Sequence, residues 1–335
     1  MALTVTDVVT EFGAYFRNEG QGTKDILKSY YQPGNTHSFF NPVPTANTQE
    51  RRTKFLKGRT LQRYQKTFTP IGGGEFKPCA IDLAWMKIDE MEIPGELEQT
   101  WLGFLNNLDS NDRRNWPFVR WWVTQVLAQA EHDFEINEIY KGAEGAIVPG
   151  TATAAGASMD GLEVQMNDAV DAGRITPIDG PVTWSVDPEE FVNEIEQWIK
   201  DIEAVSNEHR LIVESDIDYI FMQPQFAKRY AEGLRKKYQV ALDLTQLSLA
   251  GEKTMPLMVA DRNCKVVGLP SMSGKNRVWT SPPENRAGFI RKPSMASILG
   301  VEQEDRSVKL FGDVWKGAGF WYPEYVFQTQ HEINP

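Results

Sequence analysis

The sequence predicts an α+β fold in which an extended N-terminal arm is followed by a long β-hairpin and a long helix. Three observations indicate this: apolar residues alternate along 79–85, they recur at every fourth position along 118–134, and short strands dominate 255–330. Period two is typical of a strand and period 3.6 of a helix. The chain has 335 residues, of which 41% are hydrophobic, so about two domains with a sizeable core are expected.

The first fifty residues favour an extended arm over a compact domain. A short amphipathic helix is predicted over 5–16, and glycines and prolines then interrupt regular structure: Gly20, Pro33, Gly34, Pro42 and Pro44. Aromatic residues are frequent in this arm and need a surface on which to lie: Phe12, Tyr15, Phe16, Tyr30, Tyr31, Phe39 and Phe40.

Residues 57–93 predict one long β-hairpin, with an outgoing strand over 59–68 and a returning strand over 76–88. We expect its tip at 69–74, because three consecutive glycines supply the positive φ angles of a tight reversal. A hairpin of this length is marginally stable in water unless a neighbour covers it.

Helices are expected in the middle of the chain. The first spans 118–140 and ends at Gly142, and the small residues of 142–158 predict a mobile loop. A second begins at Asp187-Pro188 and runs to about 204, with Phe191, Ile195, Trp198, Ile199 and Ile202 on one face.

The C-terminal half mixes helices with short strands. A buried strand is predicted at 211–213, then a short helix capped by Ser215 and interrupted by Pro224, and then a helix over 225–238. The remaining strands are expected at 257–260, 265–269, 277–280, 288–291, 308–315 and 325–328.

The charge pattern predicts contact between copies of the chain. The net charge of −11 argues against nucleic-acid binding over the whole surface. Residues 51–66 nevertheless carry seven basic side chains and no acidic one, whereas 160–203 carry twelve carboxylates against two basic residues. The basic run could bind nucleic acid, but docking on the acidic segment of another copy is favoured, because opposite charges on one chain can pair between copies.

No motif predicts an enzyme. The glycines at 72–74 stand between strands instead of opening a helix, the four histidines are scattered, and no nucleophile motif is present. Glu189, Glu190, Glu194 and Glu196 could supply a carboxylate pair for glycoside hydrolysis, but the solvated face of an amphipathic helix explains them better. No catalytic residue, metal site or cofactor is therefore predicted.

The two cysteines fit a reducing compartment and give no disulfide framework. The N-terminus lacks the basic region of a signal peptide, and no apolar run is long enough to span a bilayer. We therefore expect a chain that stays in the cytosol and does not enter a membrane.

Three stretches, in this order of elements, resemble the major capsid proteins of tailed double-stranded DNA bacteriophages, which share the Hong Kong 97-like fold. Residues 212–236 resemble a strand and two helices separated by the Gln223-Pro224 break. Residues 258–280 are similar to small strands joined through the turn at Pro270. Residues 308–327 resemble closing strands with a turn bounded by Gly319 and Pro323.

The resemblance implies a division of the chain and a function. Residues 1–50 would be the N-terminal arm, 51–95 the extended loop over a neighbouring subunit, 96–142 with 300–335 the peripheral domain with its spine helix, and 143–299 the axial domain. The implied function is a major capsid protein that self-assembles into the icosahedral shell of a virion enclosing double-stranded DNA, without sequence-specific binding. The alternatives are an encapsulin-like nanocompartment shell and, in another class, a carboxylate-dependent glycosidase or carbohydrate-binding protein.

The expected partners are other copies of the chain, in pentamers and hexamers of a lattice assembled in the host bacterial cytoplasm. A portal and decoration proteins are further expected partners. A separate scaffold protein and no proteolytic trimming are expected, because the chain has no room for a long N-terminal scaffolding segment. The hairpin tip carries no lysine, so crosslinking between subunits is not expected. The predicted interface residues are Arg51, Arg52, Lys54, Lys57, Arg59, Arg63, Lys66, Trp85, Glu189, Glu190 and Glu194.

Overall fold

A computed structural model of the chain describes residues 36–93, 118–178, 183–209, 217–238, 257–258, 264–291 and 299–330. Helices and strands are interspersed, which confirms the α+β prediction. The helices are α1 Phe118–Asp133, which continues into a π-helical turn at Phe134–Glu138, α2 Leu162–Asp171, α3 Pro188–His209 and α4 Pro224–Tyr238. Of these, α2 was not expected from the sequence. None of the helices in the described ranges is long and apolar enough to cross a membrane.

The strands of the described residues form two five-stranded sheets and a separate two-stranded hairpin. They are β1 Asn41–Thr45, β2 Gln49–Lys57, β3 Gly74–Asp82, β4 Ala84–Glu92, β5 Tyr219–Met222, β6 Leu257–Met258, β7 Lys265–Gly268, β8 Trp279–Thr280, β9 Arg286–Arg291, β10 Leu299–Glu304, β11 Ser307–Phe320 and β12 Phe327–Gln328.

The first sheet is organised around β11, whose 14 residues change partners along their length. Its first half lies between β10 and β4, and its last five residues pair with β9, which in turn pairs in parallel with β1. This one strand therefore joins N-terminal and C-terminal segments of the chain in a single sheet.

The second sheet has the order β12-β8-β5-β7-β6 and separates two parts of the core. Ile220 and Met222 on one face of β5 pack against the apolar faces of α3 and α4. Phe221 points the other way, toward α2, the end of α1 and Trp279. The five apolar residues predicted on one face of α3 are all buried, because this sheet covers them.

The hairpin exists, but the predicted strand boundaries are wrong. The outgoing strand is β2 and not 59–68, and it pairs antiparallel with β3 from Gln49↔Asp82 to Lys57↔Gly74. The returning strand ends at Asp82, because β4 leaves the hairpin and pairs with β11. Cys79, Ile81 and Leu83 are buried as their alternation predicts, but the inward face changes after Leu83 and Trp85 is exposed.

The last part of the predicted arm belongs to the fold of its own chain. Residues 36–50 form a 3-10 turn, His37–Phe39, followed by β1 and the start of β2. Phe40 is buried against Trp279 and Phe320, so this aromatic side chain finds its surface within the chain. The short helix predicted after Ser215 is wrong from residue 219 onward, where β5 forms instead. The helix predicted at 5–16 and the strand predicted at 211–213 lie outside the described residues.

The small-residue segment after α1 is a loop that is held at both ends. Gly142 ends the helical region, as predicted: its N–H donates to the Glu138 carbonyl at 3.0 Å, and an added Cβ would lie 2.5 Å from that oxygen. Ala143 N–H donates to the Gly156 carbonyl, and Gly145 N–H to the Ala157 carbonyl. These bonds close the loop at its base instead of leaving it loose.

Candidate subunit-interaction surface

The hairpin β2–β3 carries a long loop, residues 58–73, at its far end. A hydrogen bond from Gly58 N–H to the Gly73 carbonyl, 3.1 Å long, closes the neck of this loop. Gly72 has a φ of 74° there, and an added Cβ would lie 2.5 Å from the Arg59 carbonyl oxygen. The three glycines therefore form the neck of the loop and not its tip.

Apolar side chains of the loop are almost completely exposed. Leu61 is 83% exposed, Tyr64 87% and Phe68 91%. Burying an apolar side chain of this size contributes about 1.5–3 kcal/mol. If another molecule covered all three side chains, association would therefore gain a substantial favourable free energy. Three large exposed apolar side chains within one loop make this loop the candidate interaction surface of the described residues.

The same loop is positively charged. Arg59, Arg63 and Lys66 lie in 58–73, which contains no carboxylate, and all three are exposed. Arg59 Nε donates to the Leu61 carbonyl at 3.0 Å, within the loop. In the described part of the chain, none of these three cations, nor Lys57 at the end of β2, forms an ion pair.

The basic residues nearer the base of the hairpin contact other residues of the same chain. The Arg52 guanidinium lies 3.7 Å from the centre of the Trp321 ring, and Lys54 Nζ lies 3.8 Å from that of Tyr325. Arg51 Nε donates to Gln49 Oε1 at 2.5 Å. The predicted run of interface cations therefore divides into a basal group that positions the hairpin and a distal group that is free to bind a partner.

Trp85 lies on β4 and not on the hairpin. Its indole stacks on that of Trp315, its cross-strand partner, with ring centres 5.1 Å apart and planes 4° apart. The Trp85 side chain is still 65% exposed. It gives the first sheet an exposed aromatic surface.

Of the predicted carboxylates, Glu189 and Glu190 lie in the first turn of α3, and Glu194 lies one turn later. Glu194 Oε2 accepts from Ser185 N–H at 2.9 Å, and Glu190 Oε2 accepts from Ser185 Oγ at 3.1 Å. Negative charge at a helix N-terminus is stabilised by the helix dipole, so this arrangement fits a structural role better than a catalytic pair. Glu189 and Glu190 are exposed, and no ion pair joins them or Glu194 to the basic run within the described residues.

The sequence reading missed three carboxylates on the inner face of α1 and its π-helical turn. Glu131 pairs with the buried Lys316, while Glu135 and Glu138 are buried and accept hydrogen bonds from other segments. Burial raises the pKa of Glu135 to about 7 and lowers the pKa of His37 to about 4. Glu131, Glu135 and Glu138 follow the buried Leu127 at helical spacing, and this spacing would have indicated that they lie on the inner face of the helix.

No group of three or more potential ligands that could hold a metal ion occurs among the residues described. No protein-family model matches the chain, and no curated protein matches it.

The chain is similar in structure to capsid proteins. A chain from the capsid of Myoviridae phage XM1 aligns with a TM-score of 0.54 and 12% sequence identity, over 88% of this chain and 91% of that one. A chain from the procapsid of satellite phage P4, which includes the size determination protein, aligns with a TM-score of 0.51 and 9% identity, over 92% of this chain and 98% of that one.

A third alignment is weaker. The holo-SrpI encapsulin of Synechococcus elongatus PCC 7942 aligns with a TM-score of 0.47 and 8% identity, over 88% of this chain and 86% of that one. The fold of the chain is the Hong Kong 97-like fold of tailed-phage major capsid proteins, as the sequence resemblance implied.

Proposed function

We propose that this chain is the major capsid protein of a tailed double-stranded DNA bacteriophage, and that its copies self-assemble into the icosahedral shell of the virion. The observation that carries this proposal is the loop 58–73, which exposes Leu61, Tyr64 and Phe68 on a chain with a capsid fold. A monomer leaves these side chains in water, whereas a lattice of identical copies buries them. The proposed role is structural and not enzymatic.

The proposed contact joins two different surfaces of neighbouring copies. The distal cations Lys57, Arg59, Arg63 and Lys66 of one copy meet the carboxylates Glu189, Glu190 and Glu194 at the start of α3 in the next. A contact between unlike surfaces closes into a ring when the rotation between copies is a simple fraction of a turn. Pentamers and hexamers of a capsid lattice are rings of this type.

The basal residues have a different proposed role in the same interface. Arg52 and Lys54 hold the hairpin against Trp321 and Tyr325, so the loop projects in one direction before a neighbour arrives. Holding a binding segment in its bound orientation reduces the free-energy cost of ordering it on association. Trp85 would add an exposed aromatic contact from the first sheet.

The proposed division of the chain is an arm at 1–50, an extended loop at 51–95, a peripheral domain at 96–142 with 300–335, and an axial domain at 143–299. The position of α1 beside β11, through the pair Glu131–Lys316, supports a peripheral domain built from distant parts of the chain. β4 and β9 extend into the same sheet from the neighbouring segments.

The proposed surroundings are those of a phage shell. A separate scaffold protein, a portal and decoration proteins are the proposed partners during and after assembly in the host cytoplasm. The net charge of −11 supports a wall that encloses DNA without binding it tightly, because phosphates are repelled by an acidic surface.

The first experiment is negative-stain microscopy of the purified chain, together with light scattering after size-exclusion chromatography. We expect shells, tubes or rings of five or six subunits. A stable monomer of 38.0 kDa, alone and with lysate of its source, would contradict the proposal. Double-stranded DNA in shells isolated from that source supports a phage capsid, whereas packaged protein would indicate an encapsulin-like compartment.

The second experiment tests the contact itself. Arg59→Glu with Arg63→Glu should block assembly and leave the subunit folded, because the loop is exposed in one copy. The matched control is Lys228→Glu with Arg235→Glu, the same charge change on the exposed face of α4. Normal shells from the loop variant, or equal loss of shells in both variants, would contradict a specific role for the loop.

A further inference from the structure

Lys316 is a buried lysine that reaches from the first sheet to α1. Its side chain is 4% exposed, and it is the only buried lysine of the described residues. Its Nζ donates to Glu131 Oε2, 185 positions away in sequence, and lies 4.9 Å from the centre of the Phe134 ring. Removing two charges from water often costs more free energy than their attraction returns. The loss of both charges would therefore be favourable at this site.

The other lysine–carboxylate pairs of the described residues lie nearer the surface. The Lys275 side chain, paired with Glu163, is 30% exposed, and the Lys237 side chain, paired with Glu196, is 24% exposed. A hydrated ammonium group keeps its protons and is not a nucleophile. Burial lowers the pKa of Lys316, which favours the neutral amine whose lone pair can attack a carboxyl carbon.

A second carboxyl group lies beside this pair. Glu135 follows Glu131 by four residues, so both lie on one side of the helix, and charge interactions join Glu135 to Glu131 and to Lys316. Thr36 donates hydrogen bonds from N–H and Oγ1 to Glu135, and these favour the ionised form, which can accept a proton. Burial opposes them and raises the pKa of Glu135 to about 7, so the same group can return a proton near neutral pH.

We propose that Lys316 and Glu131 condense into an intramolecular amide bond, which joins β11 to α1 covalently within the folded chain. The reaction needs an amine, an acceptor carboxyl group and a second carboxyl group that transfers protons. The fold brings these three groups together in one buried cluster. The bond forms within a single chain, so the proposal does not rest on the proposed capsid function.

The atoms and protons of this reaction balance. One proton of the Lys316 ammonium group crosses the existing hydrogen bond to Glu131, which leaves a neutral amine and a neutral acid. The nitrogen lone pair then attacks Glu131 Cδ and forms the C–N bond. Glu135 takes a second proton from the nitrogen and returns it to the departing oxygen. The Cδ–O bond breaks, one water molecule leaves, and the third proton remains as the amide N–H.

Two features of the site favour the amide over its hydrolysis. The fold holds the amine and the carboxyl group in contact, and well-oriented intramolecular groups reach effective concentrations of about 10⁵–10⁸ M. The amide carries no charge, so its formation removes the cost of keeping two charges away from water. The Glu131 side chain is 23% exposed, which leaves a route for the departing water molecule. Burial, the larger cause of the lowered pKa of His37, persists when Lys316 loses its charge.

Mass spectrometry of the intact, denatured chain tests the proposal. We expect the main species to weigh one water molecule less than its sequence. In a tryptic digest, cleavage after Lys316 should be absent, and peptide 121–141 should be linked to peptide 310–335. Lys316→Arg keeps the positive charge but has no primary amine, so it should show the full mass of its sequence.

The matched control within the same digest is the pair Lys275–Glu163, whose lysine is more exposed. Its peptides should stay unlinked, and equal linkage there would contradict a specific reaction at Lys316. A wild-type chain that keeps its full mass after prolonged incubation in the folded state would overturn the proposal. So would a loss of water that maps elsewhere, for example to a succinimide at Asp160-Gly161.

The role given to Glu135 is tested by the rate at which the linked peptide forms in Glu135→Gln. We expect a decrease of about a hundredfold or more, since general acid–base catalysis contributes about 10²–10⁴-fold. Circular dichroism shows whether this variant is folded. An unchanged rate in the folded variant would overturn the role of Glu135, whereas the wild-type mass decides the bond itself even if the variant does not fold.

Discussion

The Arg52 guanidinium lies 3.7 Å from the centre of the Trp321 ring, so the basic strand of the hairpin rests on the closing segment of its own chain. Lys54, two residues along the same strand, makes the equivalent contact with Tyr325 at 3.8 Å. Residues at i and i+2 of a strand lie on the same face. These two cations therefore form one row that fixes the base of the hairpin, while the loop at its other end stays exposed.

Arg52→Ala together with Lys54→Ala should loosen the hairpin without unfolding the subunit. Each cation–π contact at a partly exposed site contributes about 0.5–1 kcal/mol, so the free energy of unfolding should fall by roughly 1–2 kcal/mol. Urea denaturation measures this, and amide exchange in β2 and β3 should increase. Arg51→Ala is the control, since the exposed Arg51 side chain donates to Gln49 of the same strand and makes no aromatic contact within the described residues. An equal loss there would mean that the aromatic contacts are not responsible.

Gly233 of α4 allows close contact between α3 and α4. A Cβ at this position would lie 2.0 Å from the Pro188 carbonyl oxygen and 2.5 Å from Val192 Cγ2. Gly233→Ala should therefore push the two helices apart and lower the free energy of unfolding by about 1–3 kcal/mol, despite the higher helix propensity of alanine. Thermal and urea denaturation measure this. Glu232→Ala, on the exposed face of the same helix, should change stability little, and unchanged stability in Gly233→Ala would show that the helices adjust freely.

His37 should make the fold less stable in acid. Its pKa is about 4 in the folded chain, below the usual 6.5, because burial and Lys316 disfavour the charged ring. The ionisation of His37 therefore leaves the free energy of unfolding unchanged above pH 6.5. As the pH falls from 6.5 toward 4, the free energy of unfolding decreases by roughly 3 kcal/mol in total.

The measurement for His37 is the difference in unfolding free energy between wild type and His37→Gln across this pH range. The difference isolates His37 from Glu135, whose raised pKa acts with the opposite sign between pH 7 and 4.5. A difference that stays constant from pH 7 to 4 would contradict the assignment.

The helices α1, α3 and α4 could be predicted from sequence because their burial pattern is local, whereas α2 was missed. Asp187-Pro188 marks the start of α3, and its apolar residues recur on one face that the second sheet covers. β2 gave no such signal, because its sequence QERRTKFLK does not alternate and it is stabilised by pairing with β3 rather than by burial. β1 was assigned to the arm because two of its five residues are proline.

Only part of the candidate surface could be predicted from the sequence, because some of its contacts involve residues far along the chain. The run of cations from Arg51 to Lys66 is visible in the sequence, but which of them are free depends on Trp321 and Tyr325, far along the chain. After Leu83 the chain no longer pairs with β2 but pairs with β11, so this change also depends on a distant segment. Glu135 was missed because its partner Thr36 lies 99 residues away.

The prolines of β1 should protect the edge of the first sheet. β1 is an edge strand of the described sheet and pairs in parallel with β9, so alternate residues face the partner. Pro42 and Pro44 have no N–H, so Asn41, Val43 and Thr45 must supply the donors toward β9, and the outer edge offers no donor from the two prolines. An edge without donors is a poor template for another strand.

Pro42→Ala with Pro44→Ala should therefore give a folded subunit that aggregates through this edge. The variant is best made with Arg59→Glu and Arg63→Glu, so that shell assembly does not mask the effect. Light scattering and thioflavin fluorescence should rise with concentration, while circular dichroism of the fresh sample matches that of the parent. Pro149→Ala, at an exposed position in the loop 142–158, is the matched control. If both variants stay equally soluble, the prolines do not protect the edge.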